Sequence, residues 1–307
     1  MSDKNNMVVK ASEAQLDIGK IADRAEARNV LMCSPDFFDV IDVKNPHMEG
    51  QLGRIDKALA RRQWDFLKQN YNALAKQGVL QNFLELPGTR GCEDMVFAAN
   101  QSFPWITKSG EKVVILSKMR HPSRQREVPS FEKFYKDLGY QIIHLKNTEL
   151  FEGMGDAIPH PGKNLIYGGY GHRSNQDAYE EIAKILDVPI VTIELTDSRF
   201  YHLDTCFLPL DKESVMLFPG AFKKADLDGI EKLFRNVIAV SEEEAAHGFA
   251  LNAHVINAGG KKVALIQKGS SNTVSQLKAH GFEVIEADTS EYMKSGGSVF
   301  CMKMMVY

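Results

Sequence analysis

Apolar runs recur along this chain at an interval of about fifty residues, and this period limits the fold more than any single motif does. VVILS begins at Val113, NLIYGGY at Asn164, VMLFPGAF at Val215 and VALIQKG at Val263. Each is followed by a polar turn, a stretch of helical period and a second β-rich run, as in LDGIEKLFRNVIAV from Leu227. There Leu227, Ile230, Leu233 and Phe234 share one helical face while Asp228, Glu231, Lys232 and Arg235 share the other, the pattern of a helix laid on a sheet. A first copy starts at VLMCSP (30–35) and carries a longer insertion with the helix ALARRQWDFLKQNYNALAKQG, making five strand–helix–strand units. Such a period predicts either a solenoid or a closed radial array, and only closure brings the ends of all five units to one axis. Residues 1–27 fall outside the repeat and read as a polar helix or flexible arm.

Charge and cysteine usage narrow the function. Thirty-seven Lys and Arg against 40 Asp and Glu give a formal charge of −3, so no global field favours nucleic acid or an anionic membrane. The expected partner is a small molecule, and the sequence leaves homo-oligomerisation open. The amino-terminal residues contain no apolar segment of signal-peptide type, and the chain reads as cytoplasmic. Four widely spaced cysteines, Cys33, Cys92, Cys206 and Cys301, form no C-x-x-C pair, which argues for free thiols over a disulfide framework or zinc knuckle. The nine histidines show no metal-binding spacing beside a carboxylate, and GGYGHRSN lacks the G-x-G-x-x-G pattern. A cofactor-independent, metal-free site is expected.

Cys301 follows a glycine pair near the end of the sequence, within SGGSVFCMKMMVY. A thiol needs a base and an orienting carboxylate to act as a nucleophile at neutral pH. YHLDTCF supplies His202 and Asp204, expected on one side of a strand, and FEGMGD places Glu152 before a glycine-rich turn. CEDMVFAAN supplies Asp94 and Asn100, expected on one face of a strand, while Arg124 and Arg173 are expected in loops. Taken singly, each has an ordinary structural reading: a core cysteine, a satisfied histidine, turn-capping carboxylates and a solvated arginine.

In combination and in this order, the motifs resemble the pentein superfamily of guanidine-modifying enzymes. The similarity rests on P-x-F-F followed by NPHM, D-x-V-F-x-A-N, PSRxxEV, FEGxGD, G-x-R-S-N, HLD and the closing G-G-S-x-x-C, across residues 28–307. It implies a single catalytic domain over that span, built as a five-bladed α/β propeller of pseudo-fivefold symmetry. It further implies Cys301 as nucleophile, His202 as general acid and base, and Glu152 as the carboxylate orienting His202. Asp204 would bind guanidinium nitrogens, Asp94 a substrate amino group, and Arg124 and Arg173 its carboxylate. The substrate implied is a guanidino amino acid, and the intermediate a covalent thiouronium.

Two departures refine this expectation. The turn after Glu152 is one residue longer than the E-G-G-D of dimethylarginine dimethylaminohydrolases, and Asn100 stands where related enzymes carry an acidic residue. An amide can donate to the neutral oxygen of a ureido group, which a carboxylate would repel. Asn100 together with Asn45 resembles the arginine dihydrolases, implying passage from arginine to ornithine, ammonia and carbon dioxide. The alternatives are hydrolysis stopping at citrulline, from arginine or a methylated arginine, and amidino transfer to an amine.

Overall fold

A computed structural model describes residues 7–307. Its sixteen strands fall into five separate sheets. A short β1 (Val8–Lys10) precedes β2 (Asn29–Cys33) and β3 (Asn82–Leu86), and the second sheet holds β4 (Ser102–Ile106), β5 (Lys112–Leu116) and β6 (Gln141–His144). The third sheet holds β7 (Ala157–Pro159), β8 (Ile166–Tyr170) and β9 (Ile190–Glu194), and the fourth β10 (Phe207–Pro209), β11 (Ser214–Leu217) and β12 (Asn236–Ala239). The fifth contains β13 (His254–Ala258), β14 (Lys261–Gln267) and β15 (Glu283–Ala287), and β16 (Lys303–Val306) completes the first by pairing antiparallel with β2.

Every sheet has the same internal order: one strand antiparallel to the central one, which is itself parallel to the third. Between the two parallel strands runs a helix, namely Lys57–Lys76, Val128–Asp137, Asp177–Leu186, Lys224–Leu233 and Ser271–Ala279 in turn. These parallel strand–helix–strand units are the ones the periodicity predicts. The antiparallel strands β4, β7, β10, β13 and β16 are additional, and the site grows from the segments that lead into them.

Helix Lys224–Leu233 buries Ile230 and Leu233 and exposes Glu231 and Lys232, as its pattern requires. Asp56 caps Lys57–Lys76 by accepting from the Leu59 N–H at 2.9 Å, and Trp64, Leu67 and Tyr71 are buried on its inner face. The segment 1–27, expected as a polar helix or arm, is different in its described part. Val8–Lys10 adds a parallel strand to β9, and two short 3-10 turns follow at Ala11–Glu13 and Ile18–Lys20. Val8, Ala11 and Ala14 are apolar and buried, which ties the segment down as a strap across the third and fourth units. Among the described residues no helix is long and apolar enough to cross a membrane.

Candidate active site

Cys301 lies in a turn two residues before β16, not within a strand, and is 2% exposed. Its Sγ stands 3.2 Å from Asp204 Oδ2 and 3.2 Å from Asn252 Nδ2. Asn252 organises this corner. Its Oδ1 accepts the backbone N–H of Ser298 at 2.9 Å and that of Cys301 at 3.2 Å, and its Nδ2 also donates to the Asp204 carbonyl at 3.1 Å.

A second group forms around Glu152. His202 Nε2–H donates to its Oε2 at 2.8 Å, and Arg173 donates to the same oxygen at 3.1 Å. The backbone N–H of Arg120 holds Oε1 at 2.9 Å. The 3-10 turn Gly153–Gly155 lets this carboxylate approach its neighbours: a Cβ on Gly155 would meet Asn100 Nδ2 at 2.4 Å and the His202 ring at 3.2 Å. Glycine is what permits the amide and the imidazole to adjoin. His202 and Asp204 do not share a strand. His202 is extended and Leu203–Thr205 is a 3-10 turn, so the two side chains diverge, one to Glu152 and the other to Cys301.

Three buried polar atoms in this cluster have no partner among the described residues: His202 Nδ1, Asp204 Oδ1 and Asn100 Nδ2. With Nε2–H committed to Glu152, Nδ1 carries the free lone pair of a neutral imidazole. The set therefore offers two acceptors and one amide donor beside a thiol. Buried groups of this kind are ordinarily satisfied, so these three atoms are available to a polar ligand or to water.

The electrostatics follow from burial. Burial alone would raise Glu152, but the Arg173 guanidinium and the His202 hydrogen bond overcome it and hold the carboxyl well below its usual range. Burial lowers His202 to about 4, against the pull of Glu152, so the imidazole is neutral. Burial pushes Asp204 up to about 7, opposed by the Cys301 hydrogen bond and the Lys303 charge. The Cys301 thiol is raised well above its ordinary value by burial and then by Asp204. A cationic planar ligand would reverse the last two shifts, drawing out a thiolate and a carboxylate together.

The remaining predicted residues lie in an adjoining shell. Asp94 and Asn100 sit in a run of turns before β4, where no strand forms. Asn100 Oδ1 accepts from Arg124 at 3.0 Å. Arg124, on the one-turn helix Pro122–Gln125, is buried, and its nitrogens also donate to Glu127 and to the carbonyls of Asp94 and Phe97. A role in holding a substrate carboxylate requires exchange of some of these bonds. Arg173, in a loop, donates to Glu152 and to the Lys44 carbonyl and stacks over Tyr201. Asn45 caps the turn Pro46–Met48 through Oδ1 and donates from Nδ2 to the Ser295 carbonyl at 3.0 Å, so it joins its segment to the cysteine turn.

Sequence reasoning missed Asn252, Lys44, Glu127 and Lys303. Glu127 had a signal, since it lies three residues after Arg124 on a helical turn. Asn252, in FALNAHV, had none, because an amide among apolar residues shows its importance only when the chain is folded.

A thiol, a neutral imidazole paired to a carboxylate, and unpartnered polar atoms beside them form a cluster suited to nucleophilic chemistry on a polar group, and comparison with known proteins gives the family. Residues 21–307 match the family model "N,N dimethylarginine dimethylhydrolase, eukaryotic". The chain is 35% identical over 90% of its length to the bifunctional arginine dihydrolase/ornithine cyclodeaminase AgrE of Nostoc, covering 37% of that protein. It is 31% identical to the dimethylarginine dimethylaminohydrolase of Mycobacterium tuberculosis, over 91% of this chain and 86% of that one. The crystal structure of the N-terminal domain of ArgZ bound to substrate, described as an arginine dihydrolase of cyanobacteria, superposes with a TM-score of 0.82 at 33% identity, over 91% of this chain and 98% of that one. The chain spans 37% and 38% of the length of AgrE and of the corresponding bifunctional protein of Synechocystis. It belongs to the dimethylarginine dimethylaminohydrolase family, within the dihydrolase-like penteins.

Proposed function

We propose that the protein hydrolyses the guanidino C–N bonds of free arginine or a derivative, in the manner of an arginine dihydrolase, on a ring of five blades formed by the five sheets. Ring closure is supported by the pairing of β16 with β2, which joins the two ends of the repeat. Cys301 is the nucleophile, His202 the general acid and base, and Glu152 orients His202. Asp204, whose free Oδ1 faces no protein donor, takes guanidinium N–H groups.

In the first step the Cys301 proton passes to His202 Nδ1 as the thiolate adds to the guanidinium carbon. His202 returns that proton to the departing nitrogen, ammonia leaves, and a thiouronium remains on sulfur. Water then adds to the same carbon while His202 takes its proton, and expulsion of the sulfur yields a ureido product. In a second round Cys301 adds to the ureido carbon and a second ammonia leaves, water displaces the sulfur, and the resulting carbamic acid of ornithine loses carbon dioxide. Arginine and two waters thus give ornithine, two ammonia and one carbon dioxide.

The observation that carries the dihydrolase reading is Asn100 Nδ2, a buried donor with no partner among the described residues, adjoining His202 across Gly155. It is the group suited to hold a ureido oxygen during the second round. The test is amino-acid analysis after incubating the pure chain with arginine and, separately, with citrulline, beside a Cys301→Ala control. Ornithine and ammonia from both, abolished in the control, support the reading. Citrulline as the only product removes the second round. The family match favours a second reading, release of a methylamine from methylated arginine with citrulline as product, tested with the same assay on dimethylarginine.

A further inference from the structure

Asp94 is the buried carboxylate of the outer shell to which the family resemblance assigns a ligand ammonium, and both its oxygens are occupied. Ser295 Oγ donates to Oδ1 at 2.9 Å, and the Lys44 ammonium rests on Oδ2 at 3.0 Å. The two side chains of this ion pair are each 3% exposed. Lys44 also pairs with Asp42, and its carbonyl accepts from Arg173 at 2.9 Å, the arginine whose other arm holds the Glu152 carboxylate. Burial favours a neutral amine at Lys44, but Asp94 and Asp42 outweigh it and keep the ammonium charged.

We propose that Lys44 fills the ammonium subsite of this protein from within, so that the site takes guanidino acids that carry no free α-ammonium in preference to arginine. Two ammonium groups cannot share Asp94 without repulsion, which is severe where water is excluded. A ligand whose far end is a carboxylate meets no such conflict, and finds instead the ammonium of Lys44. The covalent chemistry at Cys301 is unchanged, because Lys44 acts at the far end of the ligand and not at the guanidinium. The proposal rests on the hydrolase reading above for its chemistry but makes a separate claim about recognition.

Turnover and binding test the two claims apart. In the full chain, kcat/KM is measured for 5-guanidinopentanoate and for arginine, and in Cys301→Ala the affinity of each is measured by titration calorimetry. Both are repeated with Lys44→Met and with Lys44→Gln, whose folding is checked by thermal melting. The expected result is a preference for 5-guanidinopentanoate of at least tenfold, in binding and in turnover, with the ratio moving at least tenfold toward arginine when Lys44 is replaced. Equal or better binding of arginine by the native sequence, or a ratio that ignores both replacements, overturns the proposal. Selective binding without turnover of either compound supports the role of Lys44 and defeats the hydrolase reading instead.

Discussion

Asp204, buried beside the Cys301 thiol, is held there at the expense of stability. Its pKa of about 7 lies above the ordinary 3.8, so folding favours its protonated form. Stability from this group is complete below the unfolded value and is lost as pH rises from there through about 7. Asp204→Asn removes that loss. The variant melts higher than the native chain at pH 8, by the equivalent of about 1–3 kcal/mol, and the two converge in acid, as thermal melts over this range will show. Turnover in the variant falls to background. Cys301, His202, Glu152 and Asp204 were legible because they sit in short motifs whose order is distinctive, although no single one is. Asn252 was not: its four contacts come from Ser298, Cys301 and Asp204, residues brought to it only by folding. Arg124 read as a ligand-facing loop residue, yet its donors are spent on Glu127, Asn100 and two carbonyls.

At the scale of elements, the strand–helix–strand units were readable because their central strands are apolar and buried, and their helices keep one apolar face. The antiparallel strands were not. AIP and FLP are three residues each, too short to show a period, and the 3-10 turns that aim Glu152 and Asp204 leave no hydrophobic signature. The strap over residues 8–14 was hidden for another reason, since its strand forms only against β9. One position tests its fit. A Cβ on Gly229 would stand 1.8 Å from the Ala11 carbonyl oxygen, and the Ser12 N–H is held by Asp226 on the same helix at 3.2 Å. Gly229→Ala should therefore lift the strap off helix Lys224–Leu233 and cost about 1–3 kcal/mol, measured by urea denaturation. Because Gly229 is outside the catalytic shell, kcat at low temperature should remain within twofold of the native value.

For the molecule as a whole, the period suggested five units but could not choose between an open array and a closed one. Closure is supported by a pairing between β2 and a strand some 270 residues later in the sequence, Lys303–Val306 against Met32–Asn29. Tyr307 fastens the end further, its N–H donating to Tyr140 Oη at 2.7 Å and its carbonyl accepting from Lys112 at 2.8 Å. Deleting residues 304–307 removes Met304 and Val306, both fully buried, each worth about 1.5–3 kcal/mol of burial. The shortened chain should lose its cooperative melt by circular dichroism, and with it all Cys301 reactivity. Cys301 stands two residues before this strand. The pairing that completes the first sheet therefore also fixes where the thiol stands beside Asp204 and Asn252.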